Sequence, residues 1–253
     1  MIVIPMAGLS SRFFKAGYDK PKYMLNLHGR PIFDYAMASF RAQFKIFPFL
    51  FICRDIHGTA EFVRARCIGL GIKGVNIVIL TETTSGQGET VMLGLELADI
   101  SDDEPITIFN IDSFRKNFEF SNDCLGEKSF LEVFRGKGNH WSFVEPALLD
   151  AFKITGNACR VIEKNRISDL CCTGLYHFRS VLDFRQGYRS ELMAPSQKLS
   201  ETYIAPIYNQ LIARGHEVQF KVIDQAVINF CGVPSEYDNC RANPYLASKF
   251  FGK

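Results

Sequence analysis

A short apolar strand that runs straight into a loop of small residues most constrains the fold of this chain. Residues 2–5 are apolar, and small residues then precede a basic side chain: Ala7, Gly8, Ser10, Ser11 and Arg12. Such a loop brings backbone N–H groups close to an oligophosphate. The alternative is an ordinary strand-to-helix turn with solvated cations. The loop lacks the G-K-[ST] ending of a Walker A motif and is not G-x-G-x-x-G.

Alternating strand and helix patterns follow along the first half of the chain. Periodicity predicts strands at 49–53, 75–80 and 106–111, and helices at 31–44, 59–70 and 89–98. This order favours an α/β fold with a parallel sheet covered on both faces. The second half is less regular, with strands expected at 141–145, 170–178 and 218–223 and helices at 180–192 and 201–214. We expect a single domain over 1–253, with a nucleotide-binding half at 1–115 and an acceptor-binding half at 116–253.

Composition excludes several classes of protein. The 253 residues can bury a core without disulfides, and 23 phenylalanines predict a Phe-rich one. With 29 basic and 27 acidic residues, the chain lacks the global basic field of a non-specific nucleic-acid binder. The eight cysteines form no C-x-x-C pair, and the five histidines have no metal-ligand spacing. Without a signal peptide or a run of about 20 apolar residues, we expect a cytoplasmic protein with no membrane partner.

The N-terminal loop, together with Lys20-Pro21-Lys22, resembles the signature of nucleotidylyltransferases of the sugar-nucleotide pyrophosphorylase type. This resemblance implies a Rossmann-like nucleotide-diphospho-sugar transferase fold, a three-layer α/β/α arrangement with a mostly parallel sheet and a smaller mixed β lobe. Arg12 and Lys22 would neutralise charge on the α-phosphate as catalytic residues. Ala7, Gly8, Ser10 and Ser11 would bind the nucleotide. Ser10 stands where the family usually has glycine.

A second segment, 82–90, is similar to the loop with which the family reads the base and ribose. It implies nucleotide contacts from Gln87, Gly88 and Glu89, since backbone groups and a Gln amide can pair with a base edge. The alternative is a polar loop that caps the following helix.

Asp112 follows a predicted strand, where ligands bind in open α/β sheets. By position alone, a turn aspartate is an equal alternative. The family places its metal-binding Asp here, which implies Mg²⁺ held by one carboxylate and substrate phosphates. The family's second metal ligand, an Asp in Asp-x-Gly-Thr-Pro, is replaced by Phe230 in Phe-Cys-Gly-Val-Pro. Asp224 is the candidate substitute.

The segments 161–164 and 173–176 resemble the acceptor-binding half of the family. The resemblance assigns Glu163, Lys164 and Gly174 to the acceptor, because a carboxylate accepts from hydroxyls and an ammonium pairs with a phosphate. An exposed ion pair at a strand end is the alternative. Tyr203 and Tyr208 are interpreted as packing residues.

The resemblance implies nucleotidyl transfer from a nucleoside triphosphate to a phosphorylated small-molecule acceptor, with release of pyrophosphate. The whole-chain pattern is similar to the capsule-locus branch, which implies CTP, L-glutamine phosphate and a role in capsular phosphoramidate synthesis. A sugar 1-phosphate is the alternative acceptor. A glycosyltransferase that uses Asn110-Ile-Asp112 as a D-x-D variant, and a non-catalytic nucleotide-binding module, remain as other classes. The oligomeric state stays open, a homodimer included.

Overall fold

The computed structural model describes residues 1–120, 128–148 and 153–252. Its strands are β1 (Ile2–Pro5), β2 (Asn26–Leu27), β3 (Arg30–Pro31), β4 (Phe49–Cys53), β5 (Val75–Ile79), β6 (Ile106–Phe109), β7 (Ser113–Arg115), β8 (Ser129–Arg135), β9 (Ser142–Pro146), β10 (Thr155–Glu163), β11 (Leu170–Phe178), β12 (Val218–Ile223) and β13 (Ile228–Phe230). Its helices are α1 (Ser11–Lys15), α2 (Ile32–Ala38), α3 (Thr59–Leu70), α4 (Gln87–Leu97), α5 (Val181–Met193), α6 (Ile207–Ala213), α7 (Pro234–Ala242) and α8 (Leu246–Phe251).

The chain divides into two compact units, each built from separated segments. The terminal unit comprises Ile2–Thr83, Phe109–Glu119 and Ala226–Lys253, and the central unit comprises Met1, Thr84–Ile108 and Phe120–Gln225. The division at residue 115 stays a prediction. No helix in the described part of the chain is long and apolar enough to span a membrane.

The terminal unit holds three of the four strands that the sequence predicts for the parallel sheet. Strands β5, β4 and β1 lie side by side in that order, all parallel, with Ile2 opposite Phe49 and Phe49 opposite Val75. β7 and β13 form a separate antiparallel pair. The core of the terminal unit is rich in phenylalanine, as predicted. Six of its phenylalanine side chains are entirely buried: Phe33, Phe40, Phe49, Phe51, Phe109 and Phe114. The apolar strands therefore place the loop after β1 on a rigid support.

The central unit has a mixed sheet of order β6-β11-β8-β12-β10-β9. β8 pairs antiparallel with β11 and parallel with β12, while β10 is antiparallel to both β12 and β9. The expected mixed β lobe is thus present. Strands β8 and β10 were not predicted, and β10 contains Gly156 and Asn157, which weaken a strand pattern.

The predicted helix at 201–214 is wrong at its start, because α6 begins only at Ile207, after Pro206 as its N-cap residue. Thr202 donates its backbone N–H to Ser85 O and accepts from Gly88 N, so its polar groups serve another segment instead of a helix. The predicted helix at 31–44 also ends early, at Ala38, and a 3₁₀ turn follows at Arg41–Gln43.

His177 is a buried polar group in the central core. Its Nδ1 lies 2.9 Å from Thr107 Oγ1, its ring stacks on Phe130, and its Nε2 has no partner among the described residues. Burial, with a smaller contribution from the amino terminus, lowers the pKa of His177 from 6.5 to about 3. The fold therefore keeps this imidazole neutral.

We expect His177 to make the protein less stable as the pH falls from 6.5 towards 3, since only the unfolded chain takes up the proton in this range. Between pH 7 and pH 5, the free energy of unfolding should lose about 2 kcal/mol through this residue alone. Urea denaturation at both pH values should show that much less loss in His177→Phe. The exposed His140→Gln is the control, and an equal loss in His177→Phe and wild type would contradict the assignment.

Candidate active site

The loop after β1 belongs to the terminal unit and is tied to the predicted catalytic lysine. Ser10 has φ 51° and ψ 28°, the left-handed region that favours glycine, and it is the N-cap residue of α1. Ser10 Oγ accepts a hydrogen bond of 3.1 Å from the backbone N–H of Lys22. The serine that departs from the family's glycine therefore fixes the backbone from which the Lys22 side chain extends.

Lys22 and Asp112 form a salt bridge within the terminal unit. Lys22 Nζ lies 2.5 Å from Asp112 Oδ2, and the two side chains are 24% and 19% exposed. Arg12 is exposed and has no acidic partner within the described residues, and Ser11 and Gly8 are exposed in the same loop. Ala7 is buried. The structure thus brings together the lysine that is predicted to bind the α-phosphate and the aspartate that is predicted to bind Mg²⁺.

The segment that carries Phe230 lies beside Asp112. Phe230 is the Cα partner of Ser113, and Cys231 donates its backbone N–H to Asp112 O at 2.8 Å. A Cβ on Gly232 would come within 3.0 Å of Asp112 Oδ2, so the absent side chain keeps that carboxylate accessible. No carboxylate replaces the family's second aspartate at Phe230.

Two other carboxylates bear on the metal prediction. Glu236 Oε2 accepts from the N–H groups of Gly232 and Val233, at 2.8 and 3.2 Å, and so caps α7. Asp224 is exposed and belongs to the central unit, whereas Asp112 belongs to the terminal unit. Among the described residues no group of three or more His, Cys, Asp or Glu could hold a metal ion. Asp112 fits a metal ion that is held by one or two carboxylates together with substrate phosphates.

The loop before α4 belongs to the central unit and is clasped by Thr202. Gly88 N donates to Thr202 O at 2.8 Å, Thr202 N donates to Ser85 O at 3.1 Å, and Glu89 N donates to Thr202 Oγ1 at 3.2 Å. The Glu89 carboxylate accepts from the backbone N–H of Ser85. Gln87 begins α4. The backbone N–H groups of Gly88 and Glu89 are thus both engaged by Thr202, which fixes the shape of this loop.

Glu163 and Lys164 face different surroundings in the central unit. Glu163 is 5% exposed, accepts from Ser142 Oγ, and exchanges two backbone hydrogen bonds with the Gln197 side chain. Burial raises the pKa of its carboxyl group, although the Ser142 hydrogen bond opposes the shift. Lys164 is exposed, and its Nζ donates to the hydroxyl of Tyr203. Lys164 is therefore the better placed of the two to meet a solute.

Gly174 lies in β11 with φ 90°, at an irregularity between Cys172 and Tyr176 in the pairing with β8. A residue other than glycine would be strained there. Tyr208 is fully buried and donates to the carbonyls of Phe130 and His177, which confirms it as a packing residue. Tyr203 is not merely a packing residue, because its hydroxyl contacts Lys164.

Comparison with known proteins decides the family. The chain is 46% identical to a nucleoside-diphosphate-sugar pyrophosphorylase from Vibrio cholerae RC9, with a TM-score of 0.89. The match covers 96% of this chain and 100% of that one. This chain belongs to the nucleoside-diphosphate-sugar pyrophosphorylase family. The predicted Rossmann-like α/β fold with a sheet core is confirmed by this likeness and by the observed strands.

More distant members of the pyrophosphorylase fold are also similar. UTP-bound UGPase from Acinetobacter baumannii is 15% identical with a TM-score of 0.70, over 98% of this chain and 96% of that one. The inositol-1-phosphate CTP transferase from T. maritima is 15% identical with a TM-score of 0.71, over 99% and 94%. These two likenesses show the fold alone. No protein-family model matches the chain, and no curated protein is significantly similar to it.

Within this pyrophosphorylase-family chain, sequence reasoning missed Thr202, Tyr203 and Gln197 as structural partners of the candidate residues. Each partner lies more than 30 residues from the residue it contacts, as in the 39-residue separation of Lys164 and Tyr203. The failed helical pattern at 201–206, with Pro206 inside it, was the one available signal.

We expect Ser10→Ala to lower the free energy of unfolding by about 1 kcal/mol, because it removes the hydrogen bond to Lys22 N. Ser10→Gly loses the same bond but relieves the left-handed backbone, which is worth about 1 kcal/mol. Ser10→Gly should therefore be close to wild type in urea denaturation. A glycine variant no more stable than the alanine variant would refute this balance.

Gly86→Ala is expected to destabilise the protein by about 2 kcal/mol. Its Cβ would lie 2.6 Å from both Thr202 N and Thr202 O, and Gly86 has φ 154°. The matched control is Gly69→Ala in α3, where a Cβ meets no atom within 4 Å and an alanine favours the helix. Thermal or urea denaturation of both variants checks the prediction, which fails if Gly86→Ala is as stable as Gly69→Ala.

Proposed function

We propose that the chain is a nucleotidyltransferase that joins a nucleoside triphosphate to a phosphorylated acceptor and releases pyrophosphate. The observation that carries the proposal is the salt bridge between Lys22 and Asp112, next to the Ser10 loop. An ammonium and a carboxylate at one place can serve a phosphate and its metal ion together. The family of the chain supports the same chemistry.

In the proposed reaction an oxygen of the acceptor phosphate attacks the α-phosphorus of the triphosphate in line, and the bond to pyrophosphate breaks. The attacking oxygen is already anionic, so no general base is required. Arg12 and Lys22 neutralise charge on the α-phosphate and on the leaving pyrophosphate. Asp112 would hold Mg²⁺, which neutralises phosphate charge when bound. Catalysis then rests on positioning and electrostatics.

Residues of the central unit supply recognition in this proposal. Gln87 and its loop contact the base, while the Gly88 amide holds the loop to Thr202. Lys164 pairs with the acceptor phosphate, and Glu163, which is buried, acts mainly by fixing the backbone that carries Lys164. Gly174 shapes β11 nearby in the same unit.

The substrates are proposed more finely as CTP and L-glutamine phosphate, in capsular phosphoramidate synthesis. The whole-chain resemblance to the capsule-locus branch and the Phe230 substitution support this pair. A sugar 1-phosphate is the second candidate. It is favoured by the name of the Vibrio cholerae protein, a nucleoside-diphosphate-sugar pyrophosphorylase that is 46% identical to this chain.

A screen of four nucleoside triphosphates against L-glutamine phosphate, glucose 1-phosphate and inositol 1-phosphate tests the proposal by pyrophosphate release. Release that requires a phosphorylated acceptor supports nucleotidyl transfer, and the productive pair identifies the substrates. Turnover of a sugar nucleotide without pyrophosphate would indicate a glycosyltransferase. Binding of CTP with no turnover for any pair would indicate a non-catalytic module.

Lys22→Ala is expected to lower kcat about 100-fold or more, because charge on the α-phosphate and pyrophosphate is no longer neutralised. The exposed Lys45→Ala removes the same charge elsewhere in the terminal unit and should leave kcat within about twofold. Asp112→Asn should weaken Mn²⁺ binding to the protein–nucleotide complex, measured by electron paramagnetic resonance. Equal kcat for Lys22→Ala and wild type would sink the catalytic assignment.

A further inference from the structure

We propose that Tyr203 is a positioning residue that holds the ammonium group of Lys164 at one point for the acceptor phosphate. The inference rests on the proposed acceptor role of Lys164. Tyr203 lies far from Lys164 in sequence, and nothing in the family signature points to it.

Lys164 touches Tyr203 in two ways. Its Nζ donates a hydrogen bond to the Tyr203 hydroxyl and also lies 4.4 Å from the centroid of the Tyr203 ring. The ammonium thus gains both an oxygen acceptor and a cation–π contact. An exposed lysine has a flexible four-carbon stem, so two contacts to one side chain restrict it strongly.

The direction of this hydrogen bond follows from the chemistry of the two groups. An ammonium only donates, so the Tyr203 oxygen accepts from Lys164 and the hydroxyl keeps its own proton. Burial raises the pKa of the Tyr203 hydroxyl, although the Lys164 hydrogen bond opposes the shift, so Tyr203 is neutral at neutral pH.

The surroundings of Lys164 keep its ammonium charged. Desolvation alone would lower the pKa of the ammonium, but the Tyr203 hydrogen bond and the carboxylates of Glu163 and Glu201 outweigh it and raise the pKa. A protonated lysine is the form that pairs with a phosphate.

Tyr203 is itself held on both sides. Thr202, before it, is bonded to the loop of Ser85 and Gly88, and Ile204 and Ala205, after it, are each 1% exposed. The backbone of Lys164 is fixed as well, because its N–H donates to Trp141 O at 2.8 Å. Both ends of the contact therefore start from rigid backbone, as positioning requires.

Tyr203 also lines an open cavity of about 210 Å³ in the central unit, together with Tyr188, Glu191, Lys198 and Glu201. Tyr203 thus borders a space that a small molecule can enter. A residue that only packed the interior would have no such surface, and Tyr208, which does pack the interior, is fully buried.

Steady-state kinetics of Tyr203→Phe and Tyr203→Leu test the inference. Tyr203→Phe keeps the ring and should raise the acceptor KM about tenfold through the lost hydrogen bond, with the nucleotide KM within about twofold. Tyr203→Leu removes the ring too and should raise the acceptor KM about 30-fold. Tyr245→Phe, at a 77% exposed tyrosine of the terminal unit, is the control.

The same substitutions in a Lys164→Met background separate positioning from packing. If Tyr203 acts through Lys164, Tyr203→Phe has no further effect on the acceptor KM in that background. An undiminished effect there, or an unchanged acceptor KM in Tyr203→Phe alone, would overturn the proposal.

A titration with inorganic phosphate, followed by the NMR signal of the Lys164 side chain, gives a readout that needs no turnover. Tyr203→Phe should weaken phosphate binding at Lys164 about tenfold and lower the pKa of its ammonium. Equal phosphate affinity and equal pKa in both proteins would overturn the positioning role. A wild type that releases no pyrophosphate with any substrate pair would instead overturn the proposed function, and the phosphate titration still decides the role of Tyr203.

Discussion

The salt bridge between Lys22 and Asp112 is the interaction on which the candidate active site depends. It joins residues 90 positions apart, and both side chains are largely shielded from water. Removal of either partner would leave a partly buried charge unpaired, which costs far more than the loss of an exposed pair. The backbone of each partner is fixed by a hydrogen bond of its own. Lys22 N donates to Ser10 Oγ, and Asp112 O accepts from Cys231 N.

The residues around Asp112 determine which protein oxygen atoms could bind a metal ion there. Phe230 pairs with Ser113 in the β7–β13 ladder and contributes no oxygen ligand. Glu236 is close to Gly232, yet two backbone N–H groups already occupy its Oε2, and release of that oxygen would uncap α7. Both hydrogen bonds are formed, so Oε2 of Glu236 caps α7. A metal ion in the terminal unit would bind Asp112 and the phosphates that arrive with the nucleotide.

The fold could be predicted from the sequence where the local hydrophobic pattern of a segment matches its position in the folded protein. Apolar runs identify β1, β4 and β5, and the small residues after β1 identify the loop of Ser10. These features can be predicted because each depends only on residues that are adjacent in sequence. Lys22 and Asp112 were singled out from the sequence, each from a motif, and their roles stay predictions. Their mutual distance of 2.5 Å was not predicted, because it depends on how the whole terminal unit packs.

The error at 201–206 has the same physical origin as the contacts that sequence reasoning missed. In a helix, the N–H and C=O of Thr202 would bond within their own segment. Here they bond to Ser85 O and Gly88 N. The helix begins only after Pro206, whose fixed φ angle suits the start of a helix. Residues 201–206, about one and a half helical turns, are therefore not helical, and Thr202 binds one candidate loop while Tyr203 contacts Lys164. Local propensity fails where the backbone binds distant partners. In this chain that place contacts the loop before α4 and Lys164, the two segments of the central unit that are predicted to bind substrates.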